Sequence, residues 1–498
     1  MEKIILVFDI GKTNKKGMVF DLNLRLLETK KAKFEEYTEN NIHMEPVDKI
    51  FNWLKETLSY FHKKYSVSII SITTHGATIA CIDENGNLPV PPVAYTTEPG
   101  KEFQQEFYRE FGDDIRLQQE TATPKLGNLL STAKTAYFLK KNYAEDFTKV
   151  KHILNLPQYY GFLLTGKTSF EPTYIGCHTY LWNFKNTKYS SVAEKLNILD
   201  VLPHNLSRPW DILGIIRPEL AEETGLAKET PVTIGIHDSN SSLLPYIIKS
   251  KKDFVLNSTG TWCVAMRIRD SADFAQDELG KLVFYNLSPF KQPVKTAIFM
   301  GGIEYETYKG ILKKIHGKFK PDIYDPLLIK QILTEKKHFI LPSVVQGTGQ
   351  FPDSPARVYE NGIEFTLENI ESGAGMPEFF RDLPFAMTVL NISLAIQSKV
   401  TLDRVGTADS SHIFTEGGFR KNETYNKLLA SFYPEQKVCL TELDEATAFG
   451  AALIAKAALD KADPMNLADY FSIKTNVVSP VNLPELTFYT DRFREMLE

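Results

Sequence analysis

Ile4–Asn14 reads IILVFDIGKTN, an apolar strand that ends in a turn of small and polar residues, and a second apolar run, GMVFD, follows at Gly17–Asp21. The pattern returns half a chain later, where Phe254–Trp262 reads FVLNSTGTW and Val264–Met266 reads VAM. Each copy predicts a β-hairpin. Glycine permits close backbone approach at the turns, and free N–H groups with Ser and Thr hydroxyls can hold phosphate. Two such turns facing a cleft would hold one nucleotide polyphosphate from both sides.

The first turn also resembles the end of a P-loop, GxxxxGK[ST], through Gly11-Lys12-Thr13. That motif requires glycine where this chain has Leu6, and a helix where Gly17–Asp21 predicts a strand, so we exclude it. An ordinary hairpin is the commoner explanation for either turn alone. Asp9 favours a phosphate site, because a carboxylate that ends a buried strand is costly unless it meets a cation.

Length and composition limit the class of protein. A chain of 498 residues is too long for one core and predicts two or three domains. Its 43% hydrophobic and 24% charged residues are ordinary for a globular protein, and a net charge of −5 without a long basic run argues against a nucleic-acid partner. The run Ile4–Phe8 is too short for a signal peptide or a membrane span. Four widely spaced cysteines argue against a metal cluster and a disulfide framework, so we expect a cytoplasmic protein without a membrane partner.

Strands and helices alternate along both halves, which predicts an α/β protein. In the first half, a helix is predicted over Lys49–Lys64 and strands over Ser68–Thr74 and Pro231–Ile236, the last of which brings His237 and Asp238 to its carboxyl end. Ligands bind at that edge of an open α/β sheet. The charged segment 247–253 is interpreted as a solvated loop between a first domain of residues 1–248 and a second of residues 249–498. The second half is predicted to contain the helices 385–400, 423–432 and 446–456 and the strand 412–415.

Together these motifs resemble the FGGY family of carbohydrate kinases over nearly the whole chain. Besides the two turns, the likeness rests on stretches that occur in the family's order: Leu156–Tyr160, Leu164–Lys167, Gly235–Asp238, Ser258–Trp262, Gly417–Asn422 and Glu445–Ala452. The resemblance implies two actin-like, ribonuclease-H-like domains with a ligand cleft between them. It also implies ATP and Mg²⁺ as cofactors, and a sugar as substrate.

The nearest likeness is to the rhamnulokinase and L-fuculokinase group. Thr74-His75-Gly76 stands in place of the group's Thr-Trp-Gly, and His237-Asp238-Ser239 in place of its His-Asp-Thr. Two stretches depart from the pattern. Thr78 stands where the group has an acidic residue that contacts the substrate, and Tyr95–Glu98 replaces the usual run of aromatic, Arg and Asp. Both departures lie on the sugar side, so they bear on the identity of the sugar more than on the reaction.

The resemblance assigns roles residue by residue. Asp238 is the expected base that accepts the hydroxyl proton of the sugar, and Asp9 is expected to hold Mg²⁺, which binds carboxylates and phosphate oxygens while keeping several waters. Asp238 has one alternative, which is to cap the following turn. The nucleotide is expected to contact Gly11, Thr13, Asn14, Lys15, Thr259, Gly260, Thr261, Gly417, Gly418 and Asn422. For Asn422, capping the helix that follows is an equally good role.

Sugar hydroxyls are expected to contact His75, Thr78 and Glu98, which follow strand ends in the domain of Asp238. For His75 a hydrogen-bonded core histidine is an equal alternative. The expected reaction is transfer of the γ-phosphoryl group of ATP to a primary hydroxyl of a ketose or deoxyketose of the L-rhamnulose or L-fuculose type. The two domains should close over both ligands to exclude water.

Three alternatives stay open. Another pentulose, a polyol or a cyclitol would suit the altered sugar side, and a non-catalytic actin-like regulator would share the fold, since fold does not imply function. The sequence also leaves a homodimer open.

Overall fold

The computed structural model describes residues 1–317 and 324–497. Its core consists of two large mixed sheets built in the same order: three consecutive antiparallel strands, then two strands parallel to the first of them. In spatial order the first sheet contains Ile212–Ile215, Pro231–Thr233, Ser66–Thr74, Lys3–Ile10, Lys15–Asp21 and Leu26–Ala32, with Ile236–His237 also on Ser66–Thr74. The second contains Val283–Leu287, Pro293–Phe299, Cys263–Ile268, Val255–Thr259, His412–Gly417, Lys437–Thr441 and Thr475–Val478. This repeat confirms the predicted duplicated, actin-like architecture.

Four smaller sheets complete the strands. They are Tyr37–Glu39 with Ile42–Met44, Ile79–Ile82 with His152–Asn155, Trp182–Asn183 with Lys188–Tyr189, and the trio His338–Leu341, Arg357–Glu360 and Ile363–Thr366. The α-helices in the described ranges are Val47–His62, Lys101–Phe111, Asp114–Thr121, Thr132–Asn142, Ala144–Phe147, Leu156–Thr165, Pro172–Ile175, Ser191–Lys195, Pro218–Thr224, Asp238–Ser250, Gly301–His316, Pro326–Glu335, Leu367–Ser372, Leu383–Val405, Glu423–Phe432, Ala446–Asp460 and Glu485–Glu495.

Two of these helices lie between the sheets. The Asp238 helix (Asp238–Ser250) packs Leu244 and Ile248 on the first sheet and Leu243 and Tyr246 on the second. The Ala446 helix (Ala446–Asp460) lies in sequence between the last two strands of the second sheet, yet its alanines pack against strands of the first. Residues from both halves of the sequence therefore form the layer of helices that joins the two sheets.

The expectation of a loop over 247–253 is wrong at its start, because the Asp238 helix continues to Ser250 and buries Ile247 and Ile248. The predicted strand 231–236 is interrupted. Gly235 has φ +89°, and a Cβ there would lie 2.7 Å from the carbonyl oxygen of Ile72. The strand therefore turns at this glycine before His237.

The helix Leu383–Val405 is long and apolar enough to cross a membrane by length and composition alone. In its most apolar window 89% of the residues are buried inside the protein. Packing in the core of the second half thus accounts for its apolar surface.

Candidate active site

Asp9 ends the central strand of the first sheet, and only 7% of its surface is exposed. Lys16 Nζ lies 3.8 Å from Asp9 Oδ2 and 2.5 Å from Glu445 Oε2. Burial raises the pKa of Asp9 to about 7, with smaller contributions from the charges of Asp238 and Glu445 and an opposing one from Lys16. Lys16 therefore lies near both Asp9 and Glu445, and the negative charge of Asp238 also acts on Asp9.

Asp238 is the first residue of the Asp238 helix, where the helix dipole favours a negative charge. Its side chain is 30% exposed, so the carboxylate is accessible, and Oδ1 accepts the N–H of Ser239 at 2.6 Å. One oxygen of Asp238 is therefore engaged by the following turn, while Oδ2 remains available. Burial raises the pKa of Asp238, while His75, Ser239 and His178 oppose the rise.

A hydrogen-bonded chain holds the backbone just before Asp238. The N–H of His237 donates to Thr173 Oγ1 at 3.0 Å, and that hydroxyl donates to Glu171 Oε1 at 2.8 Å. Both Thr173 and Glu171 are buried. The sequence analysis missed these two residues, because nothing in their local pattern indicates a contact to a strand sixty residues further on.

His75 and Thr78 lie next to each other. His75 Nε2 lies 3.3 Å from Thr78 Oγ1, and His75 Nδ1 lies 3.2 Å from the carbonyl oxygen of Ile10. The backbone of Thr78 is held by the Tyr174 hydroxyl, which accepts from its N–H at 3.0 Å and donates to its carbonyl at 2.6 Å. Burial lowers the pKa of His75, against the opposing charge of Glu45, so the imidazole is neutral at neutral pH.

Glu98 lies apart from this pair. Its side chain is exposed, and Oε1 accepts the N–H of Gly100 at 3.0 Å, just before the helix Lys101–Phe111 begins. This contact lies in the turn before the helix and gives no support to a role on the sugar.

Lys15 lies on the face of the hairpin opposite to Asp9. In the hairpin Lys15 pairs with Ile10 and Lys16 pairs with Asp9, so the two lysines point to opposite faces of the sheet. Lys15 is fully buried, donates to the carbonyl of Lys12 at 2.8 Å, and lies 4.0 Å from Glu45 Oε1. This placement gives no support to its expected contact with nucleotide, which stays a prediction, and Lys16 is the lysine that lies beside Asp9.

The rest of the first turn matches the expectation of an accessible backbone. Gly11 is half-buried, and Thr13 and Asn14 are exposed between the strands Lys3–Ile10 and Lys15–Asp21. A Cβ on Gly11 would lie 3.2 Å from the carbonyl oxygen of Asn14, so the turn is tight at this glycine.

The second turn opens onto a cavity of about 520 Å³. Five of the predicted nucleotide residues line it, namely Thr259, Gly260, Thr261, Gly418 and Asn422. The Thr259 hydroxyl is already engaged, since it donates to the carbonyl of Glu416 at 2.5 Å and accepts the N–H of Phe419 at 3.0 Å. Asn422 caps the helix Glu423–Phe432 by accepting the N–H of Tyr425 at 3.0 Å. Thr259 and Asn422 thus line the cavity and also hold its backbone in place through hydrogen bonds.

Gly417 is not among the residues that line this cavity. Its φ is +83°, and a Cβ there would lie 2.0 Å from the carbonyl oxygen of Thr259. Contact between two neighbouring strands therefore accounts for this glycine without a nucleotide.

The sequence analysis missed the opposite wall of the cavity, which is the beginning of the helix Gly301–His316. Its lining residues are Gly302, Ile303, Tyr305, Glu306 and Lys309. A Cβ on Gly302 would lie 2.2 Å from the carbonyl oxygen of Gly260, so this helix supports the second turn directly. The only sequence signal was the pair Gly301-Gly302 at a helix start.

Comparison with known proteins identifies the family. The description "FGGY family of carbohydrate kinases, N-terminal domain" matches residues 4–245, and "Carbohydrate kinase FGGY, C-terminal domain" matches residues 251–463. The chain belongs to the FGGY family of carbohydrate kinases. It is an enzyme, a sugar kinase, and as a member of this family it uses ATP.

Several relatives match almost end to end at low identity. A rhamnulokinase of Oceanobacillus iheyensis is 23% identical, with 94% of this chain and 96% of the relative covered. A gluconokinase of Bacillus subtilis is 22% identical, with 93% and 89% covered. The crystal structure of a carbohydrate kinase from Novosphingobium aromaticivorans superposes with a TM-score of 0.81 at 25% identity, covering 99% of this kinase and 98% of that chain.

The donor set around Asp9 fits a hard divalent cation. Asp9 offers carboxylate oxygens, and the charges of Asp238 and Glu445 add to the effect of burial in raising its pKa. A divalent cation at this position would offset the repulsion and the burial cost that hold the pKa of Asp9 near 7.

Proposed function

We propose that this sugar kinase transfers the γ-phosphoryl group of ATP to a primary hydroxyl of a ketose or deoxyketose, with L-rhamnulose and L-fuculose as the favoured type. The observation that carries the proposal is the accessible Asp238 carboxylate at a helix start, next to neutral imidazoles and near the buried Asp9. The alternative of a regulator without catalysis is set aside by the family.

Asp238 is proposed as the general base. The sugar hydroxyl would donate its hydrogen bond to the free carboxylate oxygen, and its proton would move to Asp238 as the oxygen attacks phosphorus. The raised pKa of Asp238 suits this task, because it brings a carboxylate nearer to the pH at which it works. His75 and His178 lie close enough to oppose that rise, so they face the same space as the sugar.

The nucleotide is proposed to lie between the two turns. Backbone N–H groups of Gly11, Thr13 and Asn14 on one side, and of Gly260 and Thr261 on the other, would contact the phosphates. Adenosine would occupy the cavity of about 520 Å³. Asp9, with Glu445 near it, would hold Mg²⁺, which when bound neutralises charge on the transferring phosphate, and Asp238 would stay free to accept the proton. Lys16 would add a positive charge on the same face of the hairpin.

The sugar is proposed to be neutral. A carboxylate sugar such as gluconate needs a cation, and the lysines on the His75 face of the first hairpin are engaged by Glu45. Lys12 Nζ lies 2.6 Å from Glu45 Oε2, and Lys15 Nζ lies 4.0 Å from Glu45 Oε1. Burial raises the pKa of Glu45, but nearby His75, Lys12 and Lys15 lower it overall, so its pairing with the lysines persists at neutral pH. The rhamnulokinase relatives agree with a neutral deoxyketose.

A coupled ADP-release assay with Mg·ATP tests the proposal. The panel is L-rhamnulose, L-fuculose, L-ribulose, D-ribulose, D-xylulose, glycerol and D-gluconate, each with wild-type protein. We expect kcat/KM to be greatest for an L-ketose. For gluconate, kcat/KM should be at least about 100-fold lower, because the gluconate carboxylate would be buried without a cationic partner. Turnover that is fastest with gluconate or glycerol would overturn the assignment of the substrate.

A further inference from the structure

Three side chains that ligate soft and borderline metals meet beside Asp238. They are Cys177, His178 and His237, whose ligand atoms all lie within 4.8 Å of one another. Atoms at most 4.8 Å apart lie within about 2.8 Å of a common centre, against roughly 2.3 Å for a Zn–S bond and 2.0 Å for a Zn–N bond. Side-chain movements of less than about an ångström would therefore close the site.

Two elements supply the cluster. Cys177 and His178 follow the short helix Pro172–Ile175, and His237 ends the strand Ile236–His237. The hydrogen bond from the His237 N–H to Thr173 ties these elements together at 3.0 Å. The cluster is thus held by the same chain of contacts that positions Asp238.

His178 has an unexplained feature that points to a ligand. Its Nδ1 atom is buried and has no hydrogen-bond partner in the described chain. Buried polar atoms in native proteins are normally paired. The imidazole rings of His178 and His237 lie edge to face, with centroids 6.4 Å apart. The Nε2 atoms of His237 and His178 lie 2.6 Å and 3.4 Å from the position of a Cβ on Gly76, so both rings present a nitrogen to the space beside this glycine.

We propose that Cys177, His178 and His237 bind one Zn²⁺ ion or a similar borderline metal, and that the bound ion inhibits phosphoryl transfer. One thiolate and two imidazoles are the donors of Cys/His zinc sites, whereas Mg²⁺ prefers oxygen. The site therefore differs in metal preference from the carboxylates around Asp9. On binding, the Cys177 thiol loses its proton to the buffer as the metal–sulfur bond forms.

Inhibition follows from position, and this half of the proposal rests on the proposed function. His237 Nε2 lies 3.4 Å from Asp238 Oδ1. An ion in the cluster has an open fourth position, and the Asp238 carboxylate is the nearest anionic oxygen to fill it. A carboxylate bound to metal cannot accept the hydroxyl proton of the sugar.

Metal binding is tested without any enzyme assay, by titrating the reduced, metal-free full chain with Co²⁺. We expect one equivalent to give a thiolate-to-cobalt charge-transfer band and tetrahedral d–d bands. Cys177→Ser should lose the charge-transfer band and bind at least about tenfold more weakly. Cys81→Ser, which removes another buried thiol of the same half, should retain both. His178→Gln provides a second variant and should also weaken binding.

The absence of the band in folded wild-type protein, or its persistence in Cys177→Ser, would overturn the metal site. Inhibition is then measured with buffered free Zn²⁺ at saturating Mg·ATP. The activity of wild type should fall at least tenfold, and the activity of Cys177→Ser should fall much less. Equal inhibition of both would overturn the inhibitory role. A cobalt site in a protein with no sugar-dependent turnover would instead refute the proposed function and leave the metal site standing.

Discussion

At the scale of single residues, Asp9 and Lys16 show how strand parity sets the chemistry of the first turn. Asp9 and Lys16 are paired across the hairpin, so they share a face, whereas Lys15 points to Glu45 on the other. Sequence reasoning located the turn and the carboxylate, because an apolar strand that ends in Asp-Ile-Gly is a local signal. It selected Lys15 rather than Lys16, because the register of the hairpin decides the face and the length of the turn left that register undetermined.

Replacing Asp9 with Asn should make stability less dependent on pH. Asp9 has a pKa of about 7 in the folded protein against an ordinary 3.8, so between those values the folded state binds a proton that the unfolded chain has lost. The free energy of unfolding of wild type therefore falls as pH rises through this window, and the loss is complete above pH 7. Asp9→Asn removes that loss. The free energy of unfolding of the variant, relative to that of wild type, should therefore be about 2–3 kcal/mol higher at pH 8 than at pH 5.

Urea unfolding at the two pH values measures this difference, with Asp146→Asn as the control for an exposed carboxylate. Mg²⁺ should raise the Tm of wild type at pH 8 and have a smaller effect on Asp9→Asn. A gain that is the same at both pH values would show that Asp9 titrates normally.

At the scale of elements, two glycines mark where backbones touch. Gly302 brings the helix Gly301–His316 against the second turn, and Gly450 brings the Ala446 helix against the Asp238 helix. Gly310, also in the helix Gly301–His316, has no atom within 4 Å of the position of an added Cβ. It therefore serves as a control for substitution in a helix.

Gly302→Ala should weaken ATP binding. The added Cβ would lie 2.2 Å from the carbonyl oxygen of Gly260, so the second turn must move into the cavity. We expect the KM for ATP to rise about tenfold, which corresponds to about 1.4 kcal/mol of lost binding, with little change in the KM for the sugar. Steady-state kinetics of Gly302→Ala, with Gly310→Ala as the control, tests this prediction. An unchanged KM for ATP in Gly302→Ala would show that the helix Gly301–His316 does not support the nucleotide site.

Gly450→Ala should lower stability. Its Cβ would lie 1.9 Å from the carbonyl oxygen of Ser241, and overpacking of this kind costs about 1–3 kcal/mol. Gly310→Ala should instead raise stability by up to about 1 kcal/mol, because alanine is the better helix former. Thermal unfolding of the two variants should therefore move Tm in opposite directions. A Gly450→Ala protein as stable as wild type would mean that the two helices separate easily.

The sequence predicted most elements, because their signals are local. The helix Glu423–Phe432 was predicted with its observed bounds, and both hairpins were found from apolar runs around small turns. The end of the Asp238 helix was missed because a lysine-rich stretch after Pro245 is typical of a loop, and burial of Ile247 against the second sheet overrides that tendency. The contact of Gly450 was also missed, since a close approach between distant segments leaves no local pattern.

At the scale of the whole molecule, the two sheets are joined through the Asp238 helix and the Ala446 helix. Ser241 Oγ donates to the carbonyl of Thr447 at 2.7 Å, which links the two helices directly. Asp238 lies at the start of one of them and Glu445 immediately before the other. Asp238 and Glu445 therefore lie at the beginnings of two helices that contact each other.

The two halves should close when both substrates are bound. Closure excludes water, which would otherwise accept the phosphoryl group. Small-angle X-ray scattering with a non-hydrolysable ATP analogue, Mg²⁺ and a ketose should show a smaller radius of gyration than the free protein has. Either ligand alone should cause a smaller decrease in the radius. An unchanged radius with both ligands bound would contradict closure. The same data report molecular mass, and the homodimer remains a prediction until then.

The central claim is that Asp238 accepts the proton during phosphoryl transfer, and the kcat of Asp238→Asn tests it most directly. The amide keeps the shape and cannot take the proton, so kcat with the best sugar should fall at least about 100-fold, the usual contribution of a general base. The affinity for Mg·ATP should stay within about threefold, and Asp146→Asn should behave as wild type. A folded Asp238→Asn enzyme that keeps its kcat within about threefold of wild type would contradict this account of the site.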